Sequence, residues 1–376
     1  MEKSKVYFTD FRAKPGYNLL QKLERLIKTA GIENIDFNNK FVAIKVHFGE
    51  PGNLAFLRPN YSKVVADVVK ELGGKPFLTD CNTLYVGERK NALDHIDAAY
   101  LNGFTPFSTG CHVIIADGLK GTDEAYIDID QEYVKTAKIG RAIADADVFI
   151  SLSHFKGHES AGFGGAIKNI GMGCGSRAGK MEQHSSGKPV VNARNCKKCK
   201  QCQKICAHNA ISYNAEGIAQ IDHSKCLGCG RCVGICNFDA IKPQFDEAND
   251  VLNMKMAEYA YAVVKDKPNF HISLICDVSP NCDCHAENDA PIVPNIGMLA
   301  SFDMVALDKA CVDLVNKQTV FENSALGDTI KKLDEEETSE HNHFHMNHPD
   351  THWESQITHG EKIGLGSSDY ELITIA

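Results

Sequence analysis

The chain has 376 residues, 43% of them hydrophobic and 24% charged, a balance that supports a sizeable packed core and excludes wholesale disorder. Forty basic residues against 49 acidic ones give a net charge of −9, which argues against nucleic acid as the main partner. No run approaches the roughly 18 consecutive apolar residues of a membrane span, and Met1-Glu2-Lys3-Ser4-Lys5 lacks an apolar signal core, so a cytoplasmic protein with no membrane partner is expected.

In chain order, β-rich apolar runs predict strands at Val6–Phe11, Phe41–Phe48, Pro76–Cys81, His112–Asp117 and Asp147–His154. Helices are predicted between them at Tyr17–Ala30, Tyr61–Leu72, Arg89–Asn102 and Tyr133–Asp145, with Gly73-Gly74 and Gly103 as stop signals. After a cysteine-rich stretch the pattern resumes with a helix at Val251–Lys265, a strand at Phe270–Cys276 and a helix at Val305–Asn316. This alternation predicts an α/β fold, a mostly parallel sheet flanked by helices. Residues 1–187 form its first part, 188–245 an insertion, and 246–376 its second part with a His-rich C-terminal segment.

Open parallel sheets bind ligands beyond the carboxyl ends of their strands. Those ends carry Lys45, His47 and Glu50; Asp80 and Cys81; Asp117; the run His154-Phe-Lys156-Gly-His158-Glu159; and Cys276-Asp277. Side by side, they would converge on one crevice. The glycine-dense stretch Ala161–Ser176 follows, containing Lys168 and Asn169. Its free backbone N–H groups suit an anion or substrate loop; a flexible connector is the plainer reading. It matches neither a Walker A loop, since Met181 follows Lys180, nor a dinucleotide fingerprint, since Ile167 stands where a third glycine belongs.

Eight of the 15 cysteines fall between Cys196 and Cys236. Cys196, Cys199, Cys202 and Cys206 spell C-x2-C-x2-C-x3-C, and Cys226, Cys229, Cys232 and Cys236 repeat it, each run followed by Ala-Ile at 210–211 and 240–241. Two-residue spacers wrap three corners of a cubane, and the fourth cysteine ligates the other cluster. One 4Fe–4S cluster then takes Cys196, Cys199, Cys202 and Cys236, and the other takes Cys226, Cys229, Cys232 and Cys206. Zinc, which usually separates paired C-x2-C knuckles, fits this crowding poorly. The segment resembles a bacterial two-cluster ferredoxin module, down to the Ile221-Asp222 and Lys225-Cys226 entry. It departs where Ala207 and Asn237 replace the proline after each fourth cysteine, placing N–H groups near the sulfurs. From Lys188 to Pro243 nine Lys/Arg face three Asp/Glu, and Lys197, Lys198, Lys200 and Lys204 crowd the first run. They either steer an acidic redox partner or form a solvated face.

Cys276, Cys282 and Cys284 with His285 make a second constellation, able to hold a soft metal or to act as a redox dithiol, with Cys81 and Cys174 as contributors. His341, His343, His345, His348, His352 and His359 follow the acidic run Asp334–Glu337. That composition reads as a solvated segment before it reads as a metal site, with Trp353 anchoring it to the core.

Nearly the whole chain resembles the domain-of-unknown-function family 362, uncharacterised Fe-S center proteins. The resemblance lies in Ile44-Lys45 with His47, Gly73-Gly74 with Asp80, Lys156-Gly-His158 leading to Gly165-Ala-Ile-Lys168-Asn169, Cys282-Asp283-Cys284, and Asp303-Met-Val-Ala-Leu-Asp308, where Met304 replaces a more usual proline. It implies architecture and no settled reaction. The expected function is an iron–sulfur oxidoreductase of anaerobic metabolism, in which two 4Fe–4S clusters relay electrons to a substrate or metal site. Lys45, His47, Asp80, Lys156, His158, Lys168 and Asn169 are the catalytic candidates, the lysines for a small anionic substrate and the histidines for protons. A ferredoxin, flavodoxin or reductase is the expected redox partner. The alternatives are a non-catalytic electron-transfer subunit and a metal or Fe–S maturation factor.

Overall fold

Eight strands form the central sheet: β1 (Ser4–Asp10), β2 (Phe41–Lys45), β3 (Lys75–Asp80), β4 (His112–Ile115), β5 (Val148–His154), β6 (Asn269–Ile275), β7 (Gly297–Ser301) and β8 (Tyr370–Thr374). Their order is β8-β1-β7-β6-β5-β2-β3-β4. From β6 to β4 every neighbouring pair is parallel, as are β1 and β8, whereas β7 runs antiparallel to both β1 and β6. The computed structural model describes residues 3–84, 87–184, 188–226, 228, 230–244, 248–333 and 342–375. The fold is therefore α/β with a mostly parallel sheet.

Side chains alternate across each strand. Val42, Ile44, Ile150, Leu152, Ile272 and Leu274 face one apolar layer, covered by helices α1 (Leu19–Thr29) and α2 (Pro59–Glu71). Helix α3 (Ala92–Leu101) lies beside β4. Ala43, Phe149, Ile275 and Leu299 face the other layer. That face carries α4 (Ala166–Cys174), α5 (Arg177–His184), α6 (Asn249–Val264), α7 (Met304–Asn316) and α8 (Glu354–Lys362). Asn18 starts α1 with a capping box, accepting from the Leu20 and Gln21 N–H groups while the Gln21 side chain returns to its own N–H.

Four segments differ from the sequence expectation. Tyr133–Asp145 is no helix: Thr136–Gly140 pairs with Glu124–Asp128 as a hairpin, and only Arg141–Asp145 turns helically. Ala137 and Ile139 also fit a strand's alternation, and an adjacent partner strand decided the matter. The antiparallel β7 and the edge strand β8 were not expected. The His-rich tail packs instead of being solvated. Trp353 is buried beside Phe163 with ring centroids 5.6 Å apart, and its indole N–H donates to Asn342. His343 bonds the Gln318 carbonyl, His348 the Pro280 carbonyl and His359 the Glu258 carboxylate. His341 and the acidic run 334–337 lie outside the described residues.

The cysteine-rich segment lies in sequence between β5 and β6. Two short antiparallel pairings, 189–191 with 241–243 and the hairpin 211–213 with 219–221, frame two single-turn helices at Gln201–Ile205 and Arg231–Ile235. Ile211, Ala219, Val233, Ala240 and Ile241 form its own apolar cluster, which Leu84 and Met181 join from the α/β body. Among the described residues, no helix is long and apolar enough to cross a membrane.

Candidate functional site

Because β6, β5, β2 and β3 are neighbours, their carboxyl ends meet. Lys45, 1% exposed, ends β2 with its Nζ 3.1 Å from Asp80 Oδ1 and 2.8 Å from Asn169 Oδ1. The Asn169 amide donates to Ser153 Oγ and the Leu152 carbonyl, fixing which end of the amide faces the lysine. Burial alone would raise the pKa of Asp80, but the Lys45 ammonium and His95 hold it well below the carboxylate range.

Above this pair stand two thiols. Cys282 and Cys284 Sγ are 3.0 Å apart, and Lys168 Nζ donates to Cys282 Sγ at 3.1 Å. The hydrogen bond from Cys284 pulls the Cys282 thiol well below its ordinary pKa against the effect of burial, helped by Lys168 and Lys156. Cys284 is pushed up correspondingly by sharing that bond and by burial. Between them in sequence, buried Asp283 lies 2.8 Å from His154 Nδ1 and 3.6 Å from Lys156 Nζ.

The Gly49 N–H donates to His47 Nδ1 at 3.0 Å, and His47 Nε2 lies 3.4 Å from Cys284 Sγ. Burial and then the Arg89 charge keep His47 neutral, with the guanidinium 3.0 Å from the same nitrogen and held by Glu50 at 2.7 Å. His158 accepts the Ser160 and Ala161 N–H groups at Nδ1 and hydrogen-bonds Cys282.

A cavity of about 50 Å³ opens among Lys45, His47, Asp80, Lys156, Lys168 and Asn169, six of the seven expected catalytic residues. His158 lines an adjoining pocket of about 350 Å³ with Glu50, Glu159, His285 and Glu287, and Cys284 borders both spaces. The smaller cavity has room for a ligand of a few heavy atoms. Lys45, Lys156, Lys168 and Arg89 each face an anionic group, whereas buried Lys180 donates to the Gly175 and Gly173 carbonyls at 2.7 and 3.3 Å. Its charge also acts on the buried Asp117 and Asp80 carboxyls, favouring their ionised forms.

The glycine stretch is neither an anion loop nor a flexible connector. Gly162–Gly164 is a strand and residues 166–174 are α4. Its leading N–H groups, those of Ala166 and Ile167, are taken by the Asp308 carboxylate at 2.7 and 2.9 Å. The glycines permit close packing instead: a Cβ on Gly171 would lie 2.0 Å from the Met256 carbonyl, and one on Gly173 2.3 Å from Lys45 Cε. Nor does Cys276 join Cys282 and Cys284. It continues the Ile272 and Leu274 face of β6 into the opposite core, where burial pushes its thiol up to about 12. Cys81 and Cys174 are buried, the Cys81 thiol donating to the Cys174 backbone carbonyl at 3.4 Å and the Cys174 thiol raised to about 12 by burial. Asp117 is likewise raised by burial, to about 6, and binds Asn82, while the Asp277 N–H bonds Asn295. Among the described residues, no three His, Cys, Asp or Glu side chains are placed to hold a metal ion.

Two further cavities lie in the cysteine-rich segment. One is lined by Cys196, Cys199, Cys202 and Cys236 with Tyr213 and Phe238; the other by Cys206, Cys226 and Cys232 with Ile211 and Ile221. Cys229 lies outside the described residues. Backbone N–H groups of Ala210, Gly228 and Ala240 point at Cys206, Cys226 and Cys236 Sγ from 3.3 to 3.4 Å. Apolar walls, convergent thiols and N–H···S donors suit an iron–sulfur cluster.

Sequence reasoning missed Arg89, Lys180 and Asp283 as parts of the crevice. Asp283 had a signal, its place between two cysteines. Arg89 and Lys180 come from a loop and a helix whose approach depends on tertiary packing.

Short stretches resemble proteins of known designation. The chain is 44% identical over 61 residues to a subunit of the ion-translocating oxidoreductase complex of Methanosarcina acetivorans, covering 16% of this chain and 23% of that one. It is 41% identical over 54 residues to dihydromethanopterin reductase (acceptor) of Methanosarcina mazei, covering 14% and 23%. It is 37% identical over 54 residues to a putative dimethyl sulfoxide reductase iron-sulfur subunit of Halobacterium salinarum, covering 14% and 21%. The chain thus spans under a quarter of each. Among solved structures, the lactate racemase apoprotein of Thermoanaerobacterium thermosaccharolyticum aligns over 84% of this chain and 58% of its own, at 12% identity and a TM-score of 0.43. The family model described as Domain of unknown function (DUF362) matches residues 42–313, and the chain belongs to that family.

Proposed function

We propose that this protein is an iron–sulfur oxidoreductase whose two 4Fe–4S clusters relay single electrons to a small anionic substrate in the basic crevice. Cys196, Cys199, Cys202 and Cys236 would hold one cluster, and Cys226, Cys229, Cys232 and Cys206 the other. The observation that carries this reading is the pair of cavities whose described thiols follow that exchanged pattern. Matches of 54 to 61 residues to oxidoreductase and iron-sulfur subunits, about the length of the cysteine-rich segment, support it.

The clusters supply one electron each, at potentials set by N–H···S bonds and exposure. The chain's own residues do the rest. Lys180, with the paired lysines beside it, attracts an anion into a space with little competing water. Lys45, Asn169 and Asp80 lock one another in place. His158, whose Nδ1 accepts two backbone N–H groups, would supply protons at the sulfur end through Nε2, and His47 would orient Cys284. The exposed Lys197, Lys198, Lys200 and Lys204 would guide an acidic ferredoxin, flavodoxin or reductase to the first cluster.

Iron, acid-labile sulfide and zinc on anaerobically purified protein, with EPR after reduction, test the reading. About eight irons and eight sulfides, with cluster signals, are expected; under four irons with stoichiometric zinc would overturn it. A small-anion screen for cluster reoxidation separates enzyme from carrier. In an enzyme Lys180→Ala slows reoxidation by the active anion and spares electron exchange with ferredoxin; in a carrier no anion reoxidises the clusters.

A further inference from the structure

We propose that Cys282 and Cys284 form a redox dithiol, the site where two single electrons from the clusters are combined. The inference rests on the iron–sulfur reading above and names what the clusters reduce first. Three observations carry it. The two sulfurs already share a 3.0 Å contact across one intervening residue. A buried ammonium, Lys168 Nζ, sits 3.1 Å from Cys282, and Cys282 itself is 2% exposed. Cys284, partly exposed, borders both the small cavity and the 350 Å³ pocket.

The step balances within the protein. In the oxidised form an S–S bond joins Cys282 and Cys284. Two electrons, one from each reduced cluster, break that bond and return both clusters to their oxidised level. One proton is taken up on Cys284 Sγ, and Cys282 remains a thiolate opposite the Lys168 ammonium. Stabilising the reduced form raises a disulfide's potential, so Lys168 and Lys156 make the pair a better acceptor for low-potential electrons. The depressed pKa of Cys282 agrees with this placement.

A chain of contacts connects the pair to a cysteine cavity. Gly230 lines the cavity of Cys206, Cys226 and Cys232, and a Cβ placed on it would lie 2.8 Å from Arg177 Cγ. The Arg177 guanidinium donates to the Lys90 carbonyl. Lys90 adjoins Arg89, which meets His47, which in turn meets Cys284 Sγ. The second repeat is therefore placed as the exit toward the crevice.

The test uses the anaerobic holoprotein, with iron, sulfide and EPR recorded throughout. Diamide is added, removed, and the clusters are then reduced; thiols are alkylated before and after, and the peptide carrying residues 282 and 284 is weighed. Diamide is expected to block both alkylations, and reduced clusters to restore both, with two cluster electrons consumed per pair. Titrated against ambient potential, alkylation should follow a two-electron curve. Lys168→Met should lower its midpoint by about 30 mV for each tenfold loss in the reduction equilibrium, and Lys168→Arg should restore it. Cys284→Ser, close in size to the native residue, should abolish the two-electron exchange and keep both cluster signals. If both thiols stay open to alkylation after diamide while the clusters are intact, the dithiol proposal falls and the iron–sulfur reading stands. If the protein holds no clusters, both fall together.

Discussion

The cysteine-rich segment and the crevice are both sites rich in thiols, yet they are built on opposite principles. The segment takes its eight cysteines from 41 consecutive residues, and the seven described ones line cavities with apolar walls and N–H donors. The crevice takes its groups from residues 45 to 284, five separate stretches, and surrounds two thiols with buried charges. A delocalised cluster spreads its electron over many atoms and needs little from its walls beyond hydrogen bonds. A site that changes protonation or binds an anion needs fixed charges already in position. One region suits storing an electron, the other using it.

Breaking the segment should have the largest effect. Cys199→Ser removes a thiol from the first cavity, and on the two-cluster proposal about half the iron should be lost, read by iron and sulfide analysis with EPR. The apolar cluster joined by Met181 and Leu84 ties the segment to the α/β body. Local protection around residues 181–184 in hydrogen exchange should fall with it.

In the crevice the loss should be energetic. Lys45→Met leaves Asp80 buried without its ammonium, which should cost about 3–5 kcal/mol in urea unfolding, while Lys45→Met with Asp80→Asn recovers much of that. No comparable rescue is expected among the cysteines of the repeat, if they ligate clusters as proposed. Gly171→Ala drives a methyl against the Met256 carbonyl and should cost about 1–3 kcal/mol, with α4 shifted and Lys168 moved off Cys282.

The smallest effect lies at the pocket mouth, where His285 pairs with Glu159 at 2.9 Å and both are about half exposed. That hydrogen bond raises the His285 pKa above its ordinary 6.5 against a smaller opposing effect of burial. A raised folded pKa means the native state binds the proton more tightly. The pair's small contribution is thus fully present below about pH 6.5 and fades as pH rises through the higher folded value. An NMR titration of the His285 ring should show the raised midpoint, and Glu159→Gln should return it toward 6.5.

The cysteine repeat was readable because its spacing is local geometry: two-residue spacers bring thiols to one small volume whatever surrounds them. The strands were readable for a similar reason, since an alternating apolar pattern predicts a strand through its own periodicity. Lys45, Asp80 and the run from His154 to His158 stood out because they end such strands. What remained hidden depended on neighbours far away in the chain. Thr136–Gly140 became a strand because Glu124–Asp128 paired with it. The glycines of 162–173 served packing against Met256, Asp308 and Lys45, contacts no local pattern announces. Cys276 parted from Cys282 and Cys284 because the sheet placed its face in the opposite core, and the tail histidines found buried partners on α6 and its surroundings. Spacing along the chain therefore determined the clustering of thiols in the cysteine-rich segment and the strand-end residues. The sheet order, by bringing the ends of β2, β3 and β5 beside α4 and the Cys282–Cys284 loop, decided which charges meet which sulfur.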